Sequence, residues 1–240
     1  MVLPAIALAL TRALRPSGAV EAALLLLAAA PGGRFAPELA RLARADRALS
    51  VEITLFLFKL VPFTAPFVVK RLLGAHHRVE LHELAFIARL LALQVLPYLL
   101  GKLVRRRRGN LANGLVRPVR IVSTVCLIGI VAFVLLHRDL SALWLLRGGD
   151  WLAILLCGAA SLVLGWASGG RAPAVRRTFA LSANSRNLAL ALLIASLAIP
   201  DGDVQLAVFA VWAVFTGSSW AFAMLARYRA QPIAARGVPV

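Results

Sequence analysis

Cysteine is almost missing from the chain: 240 residues hold two, Cys126 and Cys157, both inside apolar runs. There they read as small buried hydrophobes in preference to a disulfide or a redox pair. Acids are also scarce, ten against 27 Lys and Arg. No G-x-S-x-G, P-loop, H-E-x-x-H or C-x-x-C motif occurs. The sequence thus offers little that points to enzyme chemistry, and a polytopic membrane enzyme ranks third among the function classes. The stretch "HHRVELHE" at 76–83 gathers His76, His77, Glu80, His82 and Glu83. Its spacing fits no standard zinc motif, and it reads as a solvated, charged helix entrance. The first residues, "MVLPAIALAL", lack a basic n-region and a cleavage site, so they read as part of a spanning helix and not as a signal peptide.

Apolar residues are what the chain has in excess. They make up 61% of it, with a mean hydropathy of +0.84, where a soluble domain is about 45–50% apolar. Runs near the roughly 17–25 residues that cross a bilayer recur. They lie at about 1–14, 18–32, 48–73, 79–101, 116–136, 149–168, 178–199 and 203–226. The expected fold is therefore all-α, a polytopic transmembrane bundle of about eight spans. The net charge of +17 raises the possibility of a nucleic-acid partner, so its distribution matters. With Met1 in the cytoplasm, one set of alternate loops holds sixteen Lys and Arg and the other seven. That asymmetry is the positive-inside rule, with both termini cytoplasmic, loops 102–120 and 169–177 on that side, and no nucleic-acid partner. A bacterial plasma membrane is the expected location, and "VRRRRGN" at 104–110 reads as an anchor beside anionic lipid.

Two interruptions break the apolar pattern. In the first, Pro31, Gly32 and Gly33 stop one helix and Ala36-Pro37-Glu38 restart another. In the second, "FALSANSRNLALALL" at 179–193, Ser182, Asn184, Ser185, Arg186 and Asn187 fall where lipid is expected. Each is followed by one further long helix. Paired interruptions in equivalent places of two halves point to a secondary-transporter binding site, because broken helices expose helix ends and free carbonyls. A polar helix–helix seam is the competing explanation.

The run "PGG…LARADRALSVEITLFLFKLVPFTAPF" resembles the bile acid:sodium symporter family. The residues carrying the likeness are Pro31-Gly32-Gly33, Leu42-Ala43-Arg44, Ala48-Leu49-Ser50-Val51, Thr54, Pro62 and Pro66. "SANSRNLALAL" resembles that family's second crossover, E-x-G-x-[QR]-N, through Arg186 and Asn187. The resemblance implies an inverted-repeat transporter of ten helices with two broken crossovers. On that plan the chain starts inside the third helix, so either the start is internal to a longer gene or this is a truncated relative. Residues 1–73 become the remainder of the first repeat, 79–226 the second repeat and 227–240 a cytoplasmic tail.

The same resemblance exposes departures. Ala36-Pro37 stands where the family has Ser-Asn sodium ligands, Ser182 aligns with the crossover Glu, and Asn184 with the following Gly. Ser50 and Thr54 remain as candidate oxygen ligands. The implied site is a substrate group of Arg186, Asn184, Asn187 and Ser182 beside a coupling group of Ser50, Thr54 and Glu52. No cofactor is expected beyond Na+ or H+ as a coupling ion. Arg34, Lys59, Arg89 and Arg186 are the intramembrane cations, and each must pair, snorkel or face a cavity. Glu52 shares a helix face with Lys59, seven residues on, as a candidate partner or, once buried, a proton carrier. Trp144 and Trp151 fit an interfacial belt, and Trp212 and Trp220 fit packing.

The leading function is a secondary active transporter for a small organic anion, with sodium coupling in doubt. The alternatives are a truncated, non-transporting protein of the same fold, or a relative of arsenite or auxin-type efflux carriers. Arsenite carriage calls for a Cys near the crossover, and Cys126 and Cys157 lie in other spans.

Overall fold

The computed structural model describes residues 2–70, 83–137, 146–199 and 202–229. Among these, ten helices carry the fold: α1 Val2–Leu14, α2 Gly18–Ala29, α3 Ala36–Leu42, α4 Arg47–Val68, α5 Glu83–Arg107, α6 Gly109–His137, α7 Gly148–Ser168, α8 Pro173–Asn184, α9 Leu188–Ala198 and α10 Gly202–Arg229. Five are long and apolar enough to cross a membrane, namely α4 to α7 and α10. The bundle is all-α and polytopic, as composition implied.

The short helices explain where eight apolar segments differ from eight helices. Residues 178–199 do not form one span. They divide into α8 and α9 around residues 185–187. At ~1.5 Å per residue, the twelve residues of α2 reach roughly 18 Å, short of the ~30 Å hydrocarbon core. The α2–α3 and α8–α9 pairs are therefore half-length pieces interrupted in mid-course. Local sequence sets their ends. Pro37 and Pro173 sit in the first turns of α3 and α8, where a missing N–H costs nothing. Asp46 caps α4 by accepting from the Leu49 amide at 3.0 Å.

The core forms around α2, which past Glu21 in its first turn is apolar on every side, as a buried helix must be. Val20 and every residue from Ala22 to Ala29 are buried. Leu24–Leu27 meet Val61 and Ala65 of α4, Ile154 and Cys157 of α7, Ile194 of α9 and Val208, Val211 and Phe215 of α10. At the opposite end Leu39, Ala43, Leu181, Ala223 and Ala226 join α3, α8 and α10. The turn between α1 and α2 is fixed to α7 by buried Asp150, which accepts from the Ser17 amide at 2.6 Å and the Arg147 amide at 2.9 Å.

The helices α5 and α6 form a hairpin applied to one side of α4. None of the α6 span is buried, and Ile121, Val122, Val125 and Ile128 point outward, a surface suited to lipid. The basic stretch at 102–120 is not the loop expected from its charge. Only Arg108 separates α5 from α6, because Arg and Lys are good helix formers and three Arg close the last turn of α5. Trp212 packs against Phe35 and Phe209, at 6.4 and 6.0 Å between ring centroids. Trp220 is 42% exposed, so its expected packing role is corrected; on the outer surface of α10 it faces away from the core. Trp151 is 39% exposed near the start of α7. Trp144 and the cluster at 76–83 lie outside the described residues, apart from the backbone of Glu83.

Candidate crossover site

The two interruptions meet. Pro31 and Arg186 form an antiparallel bridge, flanked by Gly33 N–H to Ser185 O at 3.1 Å and Asn187 N–H to Ala30 O at 3.0 Å. Unwound backbone inside a membrane protein must find partners, and here each break supplies the other's. Glycine makes the approach possible. A Cβ on Gly33 would lie 2.7 Å from the Arg186 carbonyl oxygen, and Gly32 sits at φ +84°. Pro31, Gly32 and Gly33 thus stand at the crossing point itself.

A polar seam leads to it along α4 and α8. Thr178 Oγ1 accepts from the Asp46 amide at 2.9 Å. One turn further along both helices, Ser50 Oγ and Ser182 Oγ are 3.4 Å apart and buried. Thr54 follows, with Oγ1 donating to Ser50 O at 2.8 Å and its methyl against Gly32. The sequence places Ser50, Thr54 and Ser182 in one neighbourhood, and the structure does bring them together. Glu52 is elsewhere. The expected burial is not found: Glu52 is exposed, because two residues of helix rotate it about 200° away from both Ser50 and Thr54. Nor does Lys59 reach back to it; Lys59 Nζ lies 5.9 Å from the ring centroid of Tyr98 on α5.

Asn184, Arg186 and Asn187 of the second break have different surroundings. Asn187 caps α9, its Oδ1 accepting from the Leu190 amide at 3.1 Å. Asn184 points into the bundle. Its Nδ2 donates to Phe215 O, Ser218 Oγ and Ser219 Oγ at 2.8–2.9 Å, and its Oδ1 accepts from Ser161 Oγ. Its polar atoms are all occupied by α7 and α10. Arg186 is 6% exposed. Its Nη2 donates to the carbonyl of Ala183 in the last turn of α8, and its buried Nε has no partner.

Two cavities adjoin the crossing. One, of about 250 Å³, is lined by Arg34, Phe35, Phe58, Ser123, Cys126, Leu127, Ile130, Arg186, Asn187, Leu188, Ala189 and Trp212. The other, of about 820 Å³, lies among α4, α5 and α9 and is mainly apolar, with Lys59, Tyr98 and Asn187 as its polar lining. Phe58, Asn187 and Ala189 border both, and among the described residues neither lining contains Asp or Glu. Arg34 closes one wall by donating to Ser123 O and Oγ and to Thr124 Oγ1 at 3.0–3.1 Å.

Sequence reasoning missed three features here. The Arg34 clamp joins residues about ninety positions apart without a spacing signal. The Ser161, Ser218 and Ser219 cage around Asn184 is similarly dispersed, although small hydroxyl residues in apolar helices do mark seams. The third concerns cysteine: both lie in other spans, α6 and α7, as expected, but Cys126 is exposed where burial was expected. It also lines the smaller cavity, because Arg34 ties α6 to the first break.

Comparison with known proteins bears on the same features. No curated protein matches the chain. The model of the Sodium Bile acid symporter family matches residues 1–142, which include the first break, α4, α5 and all of its partner α6. That match covers more than half of the sequence, and the chain is an integral membrane protein belonging to the sodium bile acid symporter family, a family of transporters.

Proposed function

We propose that the chain is a secondary active transporter for a small organic anion, held where the two cavities meet beside the crossing helices. One observation carries the reading: Arg34, Arg186 and Lys59 line adjoining, otherwise largely apolar spaces to which no acid among the described residues contributes. A cation in apolar surroundings needs a counter-charge. An anion with an apolar body supplies that charge and fills the larger cavity, whose size falls within the ~300–1,000 Å³ typical of ligand sites. Arg186 and Asn187 border the ligand, with Arg34 and Lys59 as partners that sequence reasoning did not assign to it. Ser182, Ser50 and Thr54 form the polar wall behind the crossing, and Asn184 braces it. Both termini lie in the cytoplasm, in keeping with the distribution of Lys and Arg, and Cys labelling from each face of the membrane checks this.

The test is uptake of the bile salt taurocholate, and of shorter carboxylates, into liposomes containing the purified chain. Saturable uptake above protein-free liposomes, reduced at least tenfold by Lys59→Gln, is the expected result. Saturable binding without uptake would identify a non-transporting protein of the same fold. A second reading, efflux of arsenite, has one observation in its favour, the thiol of Cys126 on the cavity wall. Arsenite flux that is lost in Cys126→Ala while carboxylates are ignored would establish it instead.

A further inference from the structure

Resting on the reading of an anion carrier, we infer that Arg186 is a resident cation that takes the place of a dissociable coupling ion, so that the protein runs as a sodium-independent anion exchanger. In broken-helix transporters the C-terminal ends of half-helices and the unwound carbonyls beside them hold the coupling cation, since the helix dipole leaves partial negative charge there. Here that position is filled covalently. The Arg186 guanidinium folds back on the last turn of α8 and donates to Ala183 O. It is almost wholly buried, and its Nε is left without a partner.

The oxygens nearby are neutral ones. Ser50 Oγ and Ser182 Oγ lie 3.4 Å apart, Thr54 Oγ1 donates to Ser50 O, and Asn184 Oδ1 accepts from Ser161; none of them cancels the charge of a sodium ion as a carboxylate would. The one carboxylate on this part of α4, Glu52, faces outward. A second cation would also meet the charge of Arg186 at close range in a medium that screens it poorly.

The consequence is a specific mode of transport. A tethered cation cannot be released on the far side, so no sodium gradient can be harvested through it. An empty carrier must carry its unneutralised guanidinium through the apolar barrier, whereas an anion-loaded carrier moves with that charge compensated. Return is therefore fast only with an anion aboard. Exchange of one monovalent anion for another then moves no net charge.

The experiment uses the full chain in liposomes preloaded with tritiated taurocholate. With sodium replaced by potassium on both sides, external unlabelled taurocholate should accelerate efflux of label at least about tenfold, the factor that ~1.4 kcal/mol represents and less than a bare intramembrane charge costs. Adding sodium should change the rate less than twofold. Purified wild type should show no saturable binding of 22Na+. Arg186→Lys should keep the independence from sodium, while Arg186→Gln, which empties the position, should lose exchange in potassium and regain some in sodium. Sodium-dependent uptake by the wild type, or saturable 22Na+ binding to it, would overturn the inference and leave the anion-carrier reading intact. Taurocholate and carboxylates that are neither bound nor moved under any ionic condition would overturn both.

Discussion

The amide of Gly33 donates to the carbonyl of Ser185 at 3.1 Å, joining two breaks that lie about 150 residues apart in the chain. The bond is possible only because Gly33 has no side chain: a Cβ would meet the Arg186 backbone at 2.7 and 2.9 Å. Gly33→Ala should therefore destabilise the bundle by about 1–3 kcal/mol, the usual range for overpacking. Gly32→Ala has room, its nearest neighbour being 3.7 Å away, and should cost about 1–2 kcal/mol through its left-handed backbone alone. Thermal unfolding in detergent reads both, and a Gly33→Ala protein as stable as wild type would mean that the breaks do not cross there.

Asn184 offers a contrast between bracing and binding. Its amide is occupied by Ser161, Phe215, Ser218 and Ser219, so Asn184→Ala strands buried partners and should cost about 1–3 kcal/mol. The protein that remains folded should bind taurocholate as wild type does. A large loss of affinity at unchanged stability would make Asn184 a ligand-contacting residue.

Glu52→Gln should leave transport and its response to imposed sodium or proton gradients unchanged, since the carboxylate faces away from Ser50, Thr54 and the crossing. Gradient-driven uptake in the two proteins, compared side by side, decides the matter. Loss of a proton response in the variant would return Glu52 to the coupling machinery.

Much of this arrangement was legible in the sequence, and the remainder was not for physical reasons. Pro31-Gly32-Gly33 and the polar run at 182–187 are punctuation in apolar sequence, because neither can continue a lipid-facing helix unaided. Lipid as the solvent followed from composition. The position of Glu52 was in fact available from helix geometry, since residues two apart face opposite ways, but its nearness in sequence to Ser50 suggested nearness in space. Charge alone made 102–120 look like a loop, although Arg-rich sequence is readily helical at a helix end. The approach of Cys126 to the crossing was not available at all. It depends on three hydrogen bonds from Arg34 to Ser123 and Thr124, a contact with no local pattern behind it.

That clamp gives a further prediction. Arg34→Gln removes charge-assisted hydrogen bonds from the interface between the first break and α6. It should loosen α6 from the first break and lower the unfolding free energy in detergent by about 1.5 kcal/mol. Cys126 is already exposed and should react with a maleimide equally fast in both proteins, while buried Cys157 should stay unreactive. Unchanged thermal stability in the variant would show that other contacts hold the hairpin.

The most direct measurement of the account as a whole uses the same thiol in the unaltered protein. Cys126 is exposed and also lines the cavity of Arg34 and Arg186, so an anion held between those cations cancels the positive charge that draws a negatively charged reagent to the thiol. Rates of Cys126 modification by a negatively charged thiosulfonate are to be measured against increasing taurocholate, shorter carboxylates, and a neutral analogue of each. Saturable protection by the anions, absent with the neutral analogues and lost in Arg186→Gln, is the predicted result. Equal protection by neutral and anionic compounds, or none by any of them, would contradict an anion site at the crossing.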